Sequence, residues 1–202
     1  MGKIVMGGFV TVDGVYQAPG GQDEDREDGF EHGGWAAPFL DQRAEEAMVG
    51  LTLRADALLL GRKTYDIFAA FWPDADQDDP AAAKLNAMPR YVVSRRLRSV
   101  EWEGTTLLGE DVVGAVEQLR GKYDEVGVTG IGDLMQTLLA HDLVDELTLL
   151  VCPVVLGSGK KLFGRGTAAA RLALVGSDAT PSGVAIHTYR RAGRVEYGQV
   201  GG

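Results

Sequence analysis

Short apolar runs and stretches of helical spacing alternate along most of the chain. The apolar runs predict strands at residues 4–12, 57–60, 91–93, 105–108 and 125–128. Apolar positions three and four residues apart predict helices at residues 38–53, 64–71, 111–120 and 134–140. Strands that alternate with helices are typical of βαβ units, so the sequence predicts an α/β fold with a mostly parallel sheet.

The pattern changes towards the C-terminus, where three apolar stretches follow one another without helices between them. We expect strands at residues 143–156, 170–175 and 184–190. Strands joined in this way usually pair antiparallel, so this edge of the sheet is predicted to be antiparallel. We predict a single domain over residues 1–192, followed by a flexible tail at residues 193–202 that is polar and rich in glycine.

Two segments are dominated by acidic residues, glycine and proline. Residues 13–34 read DGVYQAPGGQDEDREDGFEHGG, and residues 74–79 read DADQDD. Loops as long as the first are uncommon in compact domains and are often functional. We therefore expect a long mobile loop at residues 13–34 that closes over a ligand and excludes water.

Composition argues against several classes of function. The 202 residues carry a formal net charge of -9, whereas a nucleic-acid partner needs a basic face. No apolar run approaches the roughly 20 residues that span a bilayer. The N-terminus enters a strand directly, so we expect no membrane partner, no export signal and a cytoplasmic location. The single cysteine, Cys152, lies in an apolar run, and between a nucleophile and a buried core residue we favour the core residue.

Three predicted strands end in residues that suit phosphate binding. Ligands of open α/β sheets bind beyond the carboxyl ends of the strands, so these exits should share one edge. The exits combine glycines, hydroxyls and cations: Gly61, Arg62, Lys63 and Thr64; Ser94, Arg95 and Arg96; and Gly130, Ile131 and Gly132. For any single arginine, a solvated surface charge is favoured over a role in binding. The three exits together instead indicate an extended anionic ligand such as a dinucleotide. A phosphate near Arg62 and Arg95 would favour NADPH over NADH.

Other ligand-binding motifs are incomplete. A P-loop at residues 157–160 would need glycine instead of Val154 and a hydroxyl residue instead of Lys161. A Rossmann GxGxxG motif would need glycine instead of Met135. The histidines are far apart in sequence; His32 could assist a divalent cation, but we favour a solvated position and predict no metal site.

Three stretches resemble a known superfamily. LLLGRKTYDIF at residues 58–68 resembles the strand-to-helix segment of the dihydrofolate reductase superfamily. VTGIGDLMQTLLAHDLVDELTLLVCPVVLGSGKKLF at residues 128–163 resembles the C-terminal half of its branch related to the bacterial riboflavin-biosynthesis reductase (RibD C-terminal) domain. VTVDGVYQAPGG at residues 10–21 is similar to that branch's first strand and substrate loop. The resemblance implies a three-layer dihydrofolate reductase-like fold, with a mostly parallel central sheet and antiparallel C-terminal strands, that binds NADPH and commonly forms a homodimer.

The resemblance also implies roles for individual residues. It assigns the cofactor phosphates to Gly61, Arg62, Lys63 and Thr64, the adenosine 2′-phosphate to Ser94 and Arg95, and the pyrophosphate and nicotinamide to Gly130, Ile131, Gly132, Asp133 and Leu134. We expect the nicotinamide to lie near Thr129 and Val10 as well. The substrate cleft would be bordered by Asp13 and Gly14, and we add Tyr16, Trp35 and Tyr65 as candidates for substrate contact.

The candidate catalytic groups are two carboxylates, Asp41 and Asp13. Dihydrofolate reductases carry a carboxylate early in the first helix, after a tryptophan and a proline. This chain has Trp35, Pro38 and Asp41, but Asp41 lies one residue late. Asp41 either faces the cleft or is an exposed helix carboxylate, and the second alternative is favoured. Tyr16 and a bound water are the other candidate proton sources.

Two functions follow from this reading. The first is an NADPH-dependent reductase that transfers hydride to a C=N or C=O group of a small heterocyclic substrate, such as a pterin- or flavin-precursor-like molecule. The second is a non-catalytic protein that binds NADPH or another small ligand in the same cleft. An intact phosphate site without a proton donor, or a cleft blocked by Trp35, Phe39 or Tyr65, would favour the second.

Overall fold

Residues 1–109, 111–130 and 132–201 are described by a computed structural model of the chain. Within these residues, eight strands form one sheet: β1 (Lys3–Thr11), β2 (Ala57–Gly61), β3 (Arg90–Val93), β4 (Thr105–Leu108), β5 (Glu125–Thr129), β6 (Glu146–Cys152), β7 (Leu172–Ala179) and β8 (Ala185–Arg191). Their order across the sheet is β4-β3-β2-β5-β1-β6-β8-β7. The strands from β4 to β6 pair in parallel, β8 is antiparallel to β6, and β7 is antiparallel to β8. The predicted sheet, mostly parallel with antiparallel C-terminal strands, is confirmed.

Helices cover both faces of the sheet. Those in the described residues are α1 (Gln42–Arg54), α2 (Arg62–Phe71), α3 (Pro80–Ala87), α4 (Val112–Lys122) and α5 (Asp133–Ala140). Apolar side chains of α4 and α5 form one core with β1, β2, β5 and β6, whereas α1, α2 and α3 pack on the opposite face. In the described part of the chain, every helix is too short or too polar to cross a membrane.

Strand β2 shows how the sequence pattern produces these layers. Successive side chains of a strand point to opposite faces. Leu59 packs in the core beneath α4 and α5, whereas Leu58 and Leu60 pack in the core beneath α2 and α3. Burial on both faces explains why this strand reads as a continuous apolar run instead of an alternating one.

Several elements differ from the sequence prediction: α1 begins at Gln42 instead of residue 38, and β7 spans Leu172–Ala179 instead of residues 170–175. The strand expected at residues 143–156 is shorter, because β6 ends at Cys152 and the next residue, Pro153, has no N–H to donate to a ladder. Helix α3 is not predicted, since its alanines leave no apolar stripe. Its signal lies at its start: the Asp79 carboxylate accepts a 2.7 Å hydrogen bond from the Ala81 N–H, and Pro80 occupies the first turn.

Residues 13–34, which we call the lid, form a packed cap on the sheet. The only helical turn in the lid is the 3₁₀ turn Glu27–Gly29. Val15, Ala18 and Phe30 are nevertheless buried together with Trp35 in the core on the α1 face. The acidic composition predicts a mobile loop here, and the apolar residues of the lid join the core on the α1 face.

Arg90, at the start of β3, is a buried cation with only 1% of its surface exposed. Its guanidinium lies 4.1 Å from the ring centroid of Trp102. The same group donates hydrogen bonds to the carbonyl oxygens of Leu85, Met88 and Glu103. Arg90 therefore joins the end of α3 to the segment that precedes β4.

We predict that Arg90→Met lowers the free energy of unfolding by about 3 kcal/mol or more, because the buried carbonyls lose their donor. Arg98→Met, at an exposed position of the neighbouring segment, should change it by less than about 0.5 kcal/mol. Urea denaturation of both variants provides the comparison. Equal effects of the two substitutions would contradict the role assigned to Arg90.

Candidate functional site

The carboxyl ends of four neighbouring parallel strands form one edge of the sheet. Across this edge lie β3, β2, β5 and β1, and the chain continues from them into Ser94, Arg62, Gly130 and Val12. The three strand exits that were predicted to carry phosphate-binding residues therefore lie next to one another. Such an edge is the usual ligand site of an open α/β sheet.

Gly130 and Thr64 bring two of these exits into contact. The β2–β5 register pairs Leu60 with Thr129, so the residues that follow are also neighbours. Gly130 has a φ of 91°, and a Cβ atom there would lie 2.0 Å from the Oγ1 of Thr64. Only glycine fits this close approach.

Two helices begin beside this contact, and glycine is the N-cap of both. Neither Gly61, before α2, nor Gly132, before α5, offers a side chain to the first helical turn. The backbone N–H groups there lack an N-cap side chain as acceptor, and the helix dipole favours an anion. A Cβ atom on Gly61 would lie 3.9 Å from the Cβ of Leu134, so the two helix starts are close. We call the space bounded by Gly61, Thr64, Gly130 and Gly132 the β2–β5 crevice.

Arg62 at the β2 exit and Arg95 at the β3 exit, both predicted to bind phosphate, differ in whether a carboxylate pairs with them. Arg62 forms an ion pair of 2.8 Å with Asp66 on the next turn of α2. Arg95 is exposed and makes no ion pair in the part of the chain that the structure describes. The hydroxyl of Ser94 accepts hydrogen bonds from the Arg96 N–H and from the N–H that follows, and so shapes the turn that presents Arg95.

The remaining predicted cofactor residues differ in their exposure. Val10 and Leu134 are buried in the core beneath α5, and Thr129 is half-buried at the end of β5. Asp133 is exposed in the first turn of α5, where its charge opposes an anion. Ile131 lies outside the described residues.

Tyr16 stands beside the β2–β5 crevice. A Cβ atom on Gly132 would lie 3.7 Å from the Tyr16 hydroxyl oxygen. Desolvation raises the pKa of Tyr16 above its ordinary value, although Lys160 acts in the opposite direction. The phenol is therefore protonated at neutral pH and can donate. Gly14, two residues earlier, has a φ of 84° in the turn that leads from β1 to Tyr16.

Asp13, a predicted catalytic carboxylate, is saturated with hydrogen bonds. It accepts from Lys161 Nζ at 2.7 Å, from Thr11 Oγ1 at 2.6 Å, and from the backbone N–H groups of Leu156 and Gly157 at 3.2 and 2.9 Å. The bonds from Lys161 and Thr11, more than those from the backbone, hold the pKa of Asp13 well below its usual range. Asp13 therefore fastens the turn after β6 to the end of β1, and it is ionised at neutral pH.

Asp41, the other predicted catalytic carboxylate, is the N-cap of α1. Its oxygens accept from the Ala44 N–H at 2.9 Å and from the Ser182 N–H, in the turn between β7 and β8, at 2.8 Å. Desolvation acts to raise the pKa of Asp41, but these hydrogen bonds outweigh it and lower the pKa to about 2. Asp41 is thus a helix-cap carboxylate that joins α1 to the β7–β8 turn.

Two aromatic residues predicted to contact the substrate are core residues instead. Trp35 is 7% exposed, and its indole N–H donates to the carbonyl of Gln17 at 2.7 Å. Tyr65 is 5% exposed, and its hydroxyl accepts from the Glu101 N–H at 3.0 Å. Tyr65 lies beside a groove of about 1060 Å³ between α2 and residues 96–104.

Metal and thiol chemistry have little support at this edge. Among the residues that the structure describes, no three His, Cys, Asp or Glu side chains are grouped so that they could hold a metal ion. His32 is exposed, with its ring against Phe30. Burial raises the pKa of Cys152 to about 11, so this thiol is protonated and unreactive at neutral pH.

Sequence reasoning missed a group of charges above the crevice. Lys160, from the turn after β6, lies 2.6 Å from Asp25 and 2.7 Å from Glu27 of the lid. Lys63, at the start of α2, lies 2.6 Å from the same Glu27. We call these four residues the ion cluster. The GSGKK turn at residues 157–161 could have indicated these cations, because it follows β6, which is parallel to β1 and ends at the same edge of the sheet.

Comparison with known proteins gives a consistent result. The family model described as RibD C-terminal domain matches residues 2–186. Two uncharacterised proteins of Bacillus subtilis (strain 168) are similar in sequence. YyaP is 27% identical over 171 residues, which cover 80% of this chain and 80% of YyaP. YwjB is 28% identical over 136 residues, which cover 67% of this chain and 74% of YwjB.

Solved structures share the fold. A putative riboflavin biosynthesis protein from Shewanella sp. PV-4 matches with a TM-score of 0.68 and 23% identity, over 95% of this chain and 99% of that chain. A pyrimidine reductase-like protein from Corynebacterium diphtheriae matches with a TM-score of 0.64 and 14% identity, over 95% of this chain and 92% of that chain.

We predict that Asp41→Ala destabilises the protein at neutral pH and that the difference from wild type disappears in acid. The folded-state pKa is lower than the ordinary 3.8, so the contribution of Asp41 is complete above that value and is lost as pH falls through about 2. Chemical denaturation at a series of pH values tests this. Asp111→Ala is the matched control, because Asp111 caps α4 by accepting from the Gly114 N–H. A loss of stability no larger than the control's, or one independent of pH, would refute the account of Asp41.

Proposed function

Because the chain belongs to the RibD C-terminal domain family, within the dihydrofolate reductase-like superfamily, we propose that it is an NADPH-dependent reductase of a small heterocyclic substrate. Membership of this family supports a reductase-type function. The proposal adds the cofactor and the class of substrate. A homodimer that acts on a small molecule, without nucleic acid or membrane as a partner, is part of the same proposal.

The close approach of Gly130 to Thr64 is the observation that carries the proposal. It places backbone N–H groups, the Thr64 hydroxyl and two helix N-termini next to one another at one edge of the sheet. Such a surface suits a pyrophosphate, which needs close backbone approach and several hydrogen-bond donors. The donor set therefore fits a dinucleotide.

Individual residues then have distinct tasks. Gly61, Thr64 and Gly130 would hold the pyrophosphate, and Arg95 would bind the 2′-phosphate that distinguishes NADPH from NADH. Val10 and Thr129, at the ends of β1 and β5, would border the nicotinamide. Bound there, NADPH supplies the hydride. The lid would exclude water from the reacting groups.

The proton source follows by elimination among the predicted candidates. A C=N or C=O group that receives hydride at carbon takes a proton at nitrogen or oxygen. Asp13 and Asp41 are ionised and engaged in hydrogen bonds, so neither supplies it. The Tyr16 hydroxyl is protonated and lies beside Gly132, so we assign the proton to Tyr16 or to a water that it orients.

The same carboxylates favour a second candidate function. A protein with a phosphate crevice whose nearby carboxylates have structural tasks could bind NADPH or another small ligand without reducing a substrate. In both functions NADPH can bind at the crevice, but only in the first is the bound NADPH oxidised by a substrate. Turnover therefore separates the two.

Titration with NADPH and NADH, followed by tryptophan fluorescence, tests both functions. We expect NADPH to bind well below millimolar concentration and to be oxidised by at least one compound from a panel of pterins, flavin precursors and quinones. Tight binding without oxidation by any of them would support the second function. If neither nucleotide binds below millimolar concentration, the dinucleotide versions of both functions fail.

We predict that Arg95→Ala weakens NADPH binding by about 1–3 kcal/mol, because a charge-assisted hydrogen bond is lost, and leaves NADH binding unchanged. Isothermal titration with each nucleotide measures the difference. Arg98→Ala, an exposed arginine of the same segment, is the control and should alter neither affinity. If the affinities for NADPH and NADH fall equally, Arg95 contacts the pyrophosphate that both nucleotides share. If neither affinity changes, Arg95 is a surface charge without a role in binding.

A further inference from the structure

The lid brings carboxylates to a cation that lies next to the β2–β5 crevice. Lys63 precedes Thr64 in the first turn of α2. Its Nζ is 2.6 Å from a carboxylate oxygen of Glu27 and 3.2 Å from one of Asp25. A phosphate bound at the start of α2 would find its nearest lysine, Lys63, already paired with these two carboxylates.

The two lysines of the ion cluster are held differently. Lys160 has 24% of its side chain exposed, and its backbone N–H donates to the Gln17 side chain at 3.0 Å while its carbonyl accepts from the Tyr16 N–H at 3.0 Å. Lys63 has 44% of its side chain exposed and reaches the lid through its ammonium group. Lys160 is thus held to the lid by its backbone and its ammonium group, whereas the ion pairs of Lys63 with the lid involve its ammonium group alone.

The carboxylates are presented by a defined turn. Gln17, which is 2% exposed, donates from its Nε2 to the carbonyls of Asp25 and Glu27 at 3.2 and 3.1 Å. Lys160 is the largest influence that lowers the pKa of Glu27. Desolvation acts to raise the pKa of Asp25, but hydrogen bonds from Lys160, from the Glu27 backbone N–H and from Lys63 lower it overall. Both carboxylates are therefore ionised and aligned with the two lysines of the ion cluster.

We propose that Asp25 and Glu27 form an internal latch that competes with an anionic ligand for Lys63, while Lys160 keeps the lid attached. When a phosphate pairs with Lys63, the two carboxylates lose that partner and keep Lys160. When the phosphate leaves, they return to Lys63. The inference rests on the proposed function only in taking an anion as the ligand of the crevice.

The expected strength of the latch is moderate. Exposed ion pairs typically shift an equilibrium by about twofold to fivefold each. Two such contacts with Lys63, together with the repulsion of an anion by two carboxylates, predict an effect of about 3- to 20-fold on anion affinity. Such a latch opens readily on binding and is still large enough to measure.

The test uses the full chain with Asp25→Asn and Glu27→Gln combined, which keeps the shapes of the side chains and removes their charges. Hydrogen–deuterium exchange of peptides from residues 13–34 should be faster in this variant than in wild type, after correction for intrinsic rates. Isothermal titration with inorganic pyrophosphate should show about 3- to 20-fold tighter binding. Thermal melting checks that the variant is folded.

Asp74→Asn combined with Asp78→Asn is the matched control, because it removes the same formal charge from exposed positions of the other acidic loop. It should leave both lid exchange and pyrophosphate affinity close to wild type. If the control variant gains as much pyrophosphate affinity, the effect comes from the change in net charge alone, and the latch proposal is overturned. Unchanged lid exchange, or no detectable pyrophosphate binding to the latch variant, would overturn it as well.

Failure of the proposed function would look different. If NADPH does not bind wild type, but pyrophosphate binds the latch variant more tightly and its lid exchanges faster, the latch stands and the dinucleotide proposal falls. If NADPH binds and neither pyrophosphate affinity nor lid exchange responds to the substitutions, the latch falls and the dinucleotide proposal stands.

Discussion

The contact between Gly130 and Thr64 is the constraint on which the rest of the site depends. Parallel pairing of β2 and β5 ends both strands at the same level, and a glycine at position 130 allows their exits to touch. Helices α2 and α5 lie on opposite faces of the sheet, yet they start from these two exits. The crevice is therefore the place where the two helical layers and the sheet edge meet. A side chain at position 130 would separate them.

Charge compensation is the second organising feature of this edge. The chain carries a net charge of -9, yet it gathers cations beside the crevice. Several of them are paired within the chain: Arg62 with Asp66, Lys161 with Asp13, and Lys63 and Lys160 with the lid carboxylates. These pairs neutralise much of the positive charge at this edge within the chain. In the described residues Arg95 makes no such pair, which explains why the proposed recognition of a 2′-phosphate centres on it.

The fold was largely predictable from sequence, because strands and helices follow local patterns and parallel strands must end at a common edge. The tasks of single side chains were not, since their partners are distant along the chain. Asp41 bonds a residue 141 positions away, and Asp13 is paired with one 148 positions away. No local pattern distinguishes such anchors from catalytic carboxylates. Trp35 and Tyr65 illustrate the same limit, because an aromatic residue near a glycine-rich loop reads equally as core or as cleft.

A crystal structure of the complex with NADPH tests the central claim most directly. The account predicts that the pyrophosphate lies in the β2–β5 crevice against Thr64 and Gly130, with the 2′-phosphate beside Arg95. NADPH bound elsewhere, for example in the groove between α2 and residues 96–104, would contradict the account.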